Sequence, residues 1–358
     1  MKQGISITDL AVEIERQAEA KHDYIADHSA LSVTEDGKLR VMGVGHFGLN
    51  NHARRQLAAK LDIPLAYFDR LSEKHPDLLS HSCNTLLSRE SGRSMVRTLD
   101  GEARGLMSDR YRPLDNYDLG NAVLPVIMQS GARVESCQIT DTRLYIKLIL
   151  PWLDRELPVP QGLKMGVGHN WFIRKVTGAV TISNSEVGAG TLAISPGIFE
   201  PQCTNLATYK DDGFAKMHIG KKAASDDPVA KWLSDDTKRI EDAAVWARVR
   251  DVLTATMDGR VIDGICERMT EARTDLITGD PAKVVEVFGK KNGLSEVERG
   301  GLLRHLGNAG EMNRYGLQWA VTRLAQDVES YDRASDLERL GGGVIELARN
   351  DWQALLAA

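Results

Sequence analysis

Cysteine is scarce in this chain, and the four that occur (Cys83, Cys137, Cys203, Cys266) lie far apart with no C-x-x-C pair. That scatter argues against a disulfide framework and against a cysteine zinc site. No apolar run approaches the roughly 18–20 residues needed to cross a bilayer. Met1-Lys2-Gln3-Gly4-Ile5 does not open like a signal peptide. The expectation is a soluble, cytoplasmic protein with no membrane contact.

Several motifs are missing too. Gly-x-x-x-x-Gly-Lys-Ser/Thr does not occur, so ATP hydrolysis at a P-loop is not expected. Gly188-Ala189-Gly190 lacks the third glycine of a dinucleotide fingerprint and reads as a turn or bulge between strands. No H-E-x-x-H is present; His46 and His52, like His75 and His81, are six apart, which does not put two imidazoles on one helical face. Without G-x-S-x-G, Ser185 is no nucleophile elbow. The adjacent carboxylates Asp211-Asp212, Asp226-Asp227 and Asp235-Asp236 read as caps and solvated turns. Neither a metal nor a cofactor is expected.

What is present is an ordinary globular composition, 42% apolar and 27% charged, which excludes a disordered chain or a coiled-coil rod. At 358 residues the chain has about two average domains' worth of length. Net charge is −5, unevenly spread: residues 223–358 hold 18 of the 45 basic and 24 of the 50 acidic residues, leaving 27 and 26 for residues 1–222. Within the first part, Gln161 to Lys222 carries seven basic and four acidic residues plus His169 and His218. Such asymmetry marks either a polyanion-binding face or a solvated surface of ordinary scatter.

Periodicity predicts a helix over Thr8–Lys21 on the stripe Leu10, Ile14, Ala18. Asp36-Gly37 and Asp100-Gly101, each between alternating runs, predict hairpins. Helices follow over Asn50–Leu61, Leu65–Lys74 and Asp115–Gln129, then strands over Arg133–Ile139, Arg143–Leu150, Lys175–Ser183 and Thr191–Ile198. Pro151–Gly168 reads as a loop. Beyond Asp226 the pattern is helical: Pro228–Met257, Val261–Leu276, Pro281–Lys290, Ser295–Leu306, Met312–Ser330 and Ala334–Leu340, with Gly341-Gly342-Gly343 as a helix end and loop. Trp232, Trp246 and Trp319 lie in these segments and, with Trp352 beyond them, read as core anchors. The fold class is α+β: antiparallel β-hairpins with helices over residues 1–222, then a mainly α-helical acidic region over 223–358.

Three features bear on function. Arg89, Arg93, Arg97, Arg104, Arg110 and Arg112 crowd around the second hairpin, where strands display alternate residues on one face. Tyr111 between Arg110 and Arg112 adds a stacking surface for a base. The competing reading pairs these arginines with Glu90, Asp100, Glu102 and Asp109 as surface ion pairs. Second, Tyr209, Lys210, Phe214, Lys216, His218, Lys221 and Lys222, with Lys164, His169, Trp171, Arg174 and Lys175, suit either a single-strand groove or an exposed lysine-rich loop. Third, Gln56 to Pro64 followed by Tyr67-Phe68 and Leu71 has a helix-turn-helix cadence, with Asp62 where glycine commonly stands. Helix pairs of this spacing also fill cores.

Three strings carry a family resemblance: Leu61-Asp62-Ile63-Pro64 with Tyr67, then Met107-Ser108-Asp109-Arg110-Tyr111-Arg112-Pro113-Leu114-Asp115-Asn116, then Ile182-Ser183-Asn184-Ser185-Glu186-Val187-Gly188. In this order they resemble the phage- and plasmid-like proteins catalogued as domain of unknown function 932. The likeness covers about residues 55–345 and includes His218-Ile219-Gly220 and Tyr331-Asp332-Arg333-Ala334. Where that family commonly shows Cys-Thr/Ser-Asn-Gly, Cys203-Thr204-Asn205 is followed here by Leu206. The resemblance implies carriage on a prophage or plasmid and brings no catalytic residues.

Hairpins followed by a helix, basic β segments and no ATPase motif suggest the architecture of phage single-strand annealing proteins. The leading expectation is a homo-oligomeric, non-enzymatic protein that binds and anneals single-stranded DNA. Its contacts would be Arg97, Arg104, Arg110, Tyr111, Arg112, Lys175, Phe214, Lys216, His218, Lys221 and Lys222. Two other readings stay open. One is a factor that engages a host or mobile-element protein through the acidic helices. The other is an enzyme with an unrecognised site around Ser108, Asp109, Asn184 and Glu186, residue types that turns also demand.

Overall fold

The computed structural model describes residues 1–111, 113–159, 173–210 and 234–357. Helix α1 (Ile7–Ala20) begins at Ser6, whose hydroxyl accepts from the Asp9 amide, and buries Leu10 and Ile14. A first module follows: β1 (His22–Asp27), β2 (Leu31–Val33), β3 (Leu39–Val41), β4 (Gly45–Leu49), α2 (Asn51–Lys60), α3 (Leu65–Lys74), α4 (Pro76–Arg89), β5 (Arg93–Leu99) and β6 (Glu102–Ser108). Its six-stranded sheet has the order β1-β5-β6-β4-β3-β2 and is antiparallel except where β4 meets β6. Asp100 at φ 51° and Gly101 at φ 82° form the doubly left-handed turn whose twist matches two antiparallel strands. Leu57, Phe68, Leu71, Leu79 and Leu87 of the three helices pack with Val33, Leu39, Val96 and Leu106 of the sheet. The free edge of β2 is covered: Asn84 of α4 accepts from Val33 N–H at 2.7 Å and, with Ser80, donates to its carbonyl.

Helix α5 (Asn116–Ser130) leads into a five-stranded antiparallel meander of β7 (Arg133–Ile139), β8 (Leu144–Leu157), β9 (Arg174–Asn184), β10 (Ala193–Glu200) and β11 (Asn205–Thr208). The chain ends in α6 (Asp235–Thr256), α7 (Gly259–Ala272), α8 (Pro281–Lys291), α9 (Glu296–Ala309), α10 (Arg314–Leu324), α11 (Tyr331–Ile345) and α12 (Arg349–Leu356). β8 is buried on both faces from Leu144 to Leu150, as a doubly covered strand must be. Leu144, Ile146, Leu148 and Leu150 share a core with Leu10 and Ile14 of α1, Val123 of α5, Leu253 of α6 and Ile265 of α7. On the opposite face Lys147 is fully buried and meets Glu338 of α11 at 2.6 Å, with its ammonium 4.4 Å from the Tyr331 ring centre. Helices α8 to α12 hold a further core around Phe288, Leu302, Leu317, Leu337 and Trp352.

The α+β class holds, and β1, β4, α4, β11 and α12 were not expected, nor the short 3-10 turn His28–Ala30. Three expectations need correction. The loop predicted from Pro151 is strand as far as Leu157, because a register shift between Leu150 and Asp154 carries Pro151 past the ladder it cannot join. The rest of that loop, from residue 160, lies outside the described residues. Gly341-Gly342-Gly343 is helical, inside α11. A side chain on Gly342 would land on the Thr208 carbonyl of β11, and one on Gly341 on the Thr322 methyl of α10. These glycines let three elements approach; they do not end one. The helix predicted to Ser330 stops at Leu324. The β10–β11 turn, where the resembled family has glycine after asparagine, is made by Thr204 at φ 56°, a strained setting for a β-branched residue. Leu206 is then free to enter the core.

Candidate functional site

The two strings with the most distinctive resemblance meet where the two sheets adjoin. β5 and β6 each turn an arginine inward. Arg97, with its side chain 1% exposed, donates to both Asp23 carboxylate oxygens at 2.7 and 2.6 Å and to Asp115 at 2.8 Å. Arg104 donates to Glu186 at 2.8 Å and to Gln17 of α1 at 3.2 Å. Lys21, just past α1, reaches Asp115 at 2.6 Å and Glu186 at 3.6 Å. Three cations therefore face three carboxylates, and the second Glu186 oxygen accepts from the Asn116 amide at 2.7 Å. Asn184 donates to the Leu114 carbonyl at 2.7 Å and to the Asn116 side chain at 2.9 Å. His52 and Gln56 of α2 both bond the Val187 carbonyl at 2.9 Å. Arg97, Arg104 and Glu186 are buried at its centre, with Lys21, Asp23 and Asp115 closing it toward the surface, so the charge set acts as a clamp.

From the clamp a loop reaches the surface. Tyr111 is half-buried, its hydroxyl donating to the Ser185 carbonyl at 3.3 Å; burial raises its phenol above the ordinary range. Arg110 beside it is exposed. Asp109 holds Arg93 at 3.3 Å, and the Tyr111 amide donates to the Ser108 carbonyl at 2.9 Å. The arrangement fixes a loop backbone and presents a guanidinium next to an immobilised ring.

The expected nucleic-acid contacts are thus divided. Arg97 and Arg104 are corrected: both are spent on carboxylates inside the fold, where no strand's phosphates reach them. Arg110 and Tyr111 share the anchored loop. Lys175 is exposed, 4.0 Å from Glu156. It sits at the other end of β9, roughly 33 Å from Ser185 at about 3.3 Å per residue. Arg112, Phe214, Lys216, His218, Lys221 and Lys222 lie outside the described residues. The four residues of the alternative enzyme set differ in burial. Ser108 and Asp109 sit at the outer end of β6, while Asn184 and Glu186 are enclosed in the clamp with their polar atoms bonded.

One unexpected constellation is His28, whose Nε2 lies 3.1 Å from the Ser94 hydroxyl while Nδ1 lies 3.7 Å from Glu90. Ser94 is fully buried within β5, so its hydroxyl faces no substrate. Two clefts, of about 380 and 560 Å³, open on either side of the β7–β8 turn at Ile139-Thr140-Asp141. The smaller is lined by Glu13, Asp100, Glu102 and Asp141 against Arg16 and Arg104, a balance that disfavours a polyanion. Among the described residues no group of three His, Cys, Asp or Glu is placed to hold a metal. Comparison with family models, with curated proteins and with solved structures finds no match to this chain.

Proposed function

We propose that this is a DNA-binding protein of a mobile element that holds single strands without ATP hydrolysis and works as a homo-oligomer. The observation that carries the reading is the exposed Arg110 beside the fixed Tyr111, on a loop anchored to Glu186 and Asn184 by the buried clamp. An exposed guanidinium next to an anchored ring suits a phosphate and a base of one strand, since the loop backbone and the ring are already placed before binding. The basic stretch from Lys210 to Lys222, with Phe214, adds further phosphate contacts in this reading; Tyr209 before it is buried in the central core.

The test is fluorescence anisotropy of a labelled oligonucleotide over a salt series, with light scattering on the same samples. Binding is expected to weaken steeply with salt, and Arg110→Ala to lower the affinity and reduce the log–log salt slope by about 0.7, the share of one phosphate on a single strand. A folded Arg110→Ala protein with wild-type affinity and slope would remove the loop from the interface. A flat wild-type titration would reject DNA binding and favour a protein partner for the acidic helices.

A further inference from the structure

Helices α2 and α3 are joined by Leu61-Asp62-Ile63-Pro64, and backbone bonds alone shape the turn. The Ile63 amide donates to the Ala58 carbonyl at 2.9 Å and the Asp62 amide to Ala59 at 3.3 Å, with Asp62 at φ 52°. This paired closure around one left-handed residue stops a helix sharply. Glycine serves that position most readily, and aspartate is among the few other residues that tolerate it. Pro64 then caps the start of α3, and Arg54 of α2 reaches Asp69 of α3 at 3.4 Å, tying the two helices together.

Helix α3 has two distinct faces. Phe68 and Leu71 are buried against the sheet module. Ala66, Tyr67, Arg70, Glu73 and Lys74 are exposed and recur at helical spacing on the other side. The Arg70 guanidinium lies 5.2 Å from the Tyr67 ring centre, a cation–π contact on that exposed face. With Arg54 and Asp69 engaged with each other, the rest of α2, the turn and α3 carries Arg55, Lys60, Arg70 and Lys74 against Asp62 and Glu73.

We propose that α3 is a second DNA-contacting element that enters the major groove of duplex DNA, with α2 lying across the backbone. The chemistry matches base edges: an arginine fork for guanine, a small apolar residue for a thymine methyl and a glutamate acceptor for the cytosine amino group. Lys74 and Arg55 then serve phosphates. B-form DNA is the occupant because the deep, narrow major groove of A-form RNA does not admit a helix. The inference goes beyond the single-strand reading and stands on different residues.

The experiment is selection from a random duplex pool on the full chain. Anisotropy follows with a selected duplex, with one of its strands and with the equivalent double-stranded RNA. A shared sequence should be enriched. Arg70→Ala should weaken the selected duplex by about tenfold or more, the worth of one good base contact, with single-strand binding unchanged. Lys74→Ala, another exposed position, should weaken all duplexes alike and lower the salt slope. Arg110→Ala should show the reverse pattern, losing the single strand and keeping the duplex, so the two proposals fail separately. No enriched sequence, equal preference for duplex RNA, or wild-type duplex affinity in both α3 variants would overturn the assignment.

Discussion

Asp115 shows how the clamp converts charge into stability. Burial alone would raise its carboxyl, yet Arg97 and Lys21 hold it below the ordinary carboxylate range. A carboxylate whose folded value is depressed stabilises the fold above its unfolded value, near pH 4, and that contribution disappears as pH falls through the folded value. Asp115→Asn should therefore be less stable than wild type at pH 7, and the deficit should shrink steadily below about pH 4. Urea denaturation at pH 7 and pH 3 measures this, and a deficit of equal size at both would show that charge is not what Asp115 contributes. Wild type must be the reference, because Glu200 has the opposite sign. Burial raises its carboxyl, so acidification relieves a cost there. The sequence announces Arg97 and Arg104 as arginines on strands, but not which way they face. Their acidic partners Asp23 and Glu186 stand 74 and 82 residues away, a separation that no local pattern encodes.

At the scale of elements, local chemistry was legible wherever it was sufficient. Asp100-Gly101 specifies its hairpin because both residues tolerate positive φ. The stripe Leu10, Ile14 specifies α1. The glycine triplet was misread because helix ends and close helix packing ask for the same residue. Substitution separates the two roles. Gly342→Ala places a methyl on the Thr208 carbonyl of β11 and should either force α11 off the sheet or carry an overpacking penalty of about 1–3 kcal/mol or more. Gly343 has open space around its missing side chain, so Gly343→Ala should stabilise the helix by about 0.5–1 kcal/mol. Chemical denaturation of the two variants side by side decides the matter. If both shift the midpoint the same way, the triplet is not a packing contact.

Across the whole molecule, the change of composition near residue 222 marks a change in charge and in element type, while the central core runs across it. The sheet β7–β11 comes from the first part, and α6, α7, α10 and α11 that cover its faces come from the second. Polar contacts cross in the same way. Lys147 depends on Glu338, and Arg174 donates to Glu311, which also receives both arms of the fully buried Arg273. Residues 1–222 expressed alone would take Glu338 from Lys147 and Glu311 from Arg174, which keeps Glu200 at 3.9 Å, and would uncover apolar side chains on both faces of one sheet. Breaking a buried pair by removing one partner costs about 3–5 kcal/mol, a large part of a domain's total stability of about 5–15 kcal/mol. The fragment should therefore show no cooperative thermal transition and poorly dispersed amide resonances, and mixing it with residues 223–358 should restore both. A fragment 1–222 that melts cooperatively by itself would show that the helices merely decorate a sheet able to stand alone, and would return the acidic region to the role of a separate, partner-seeking domain.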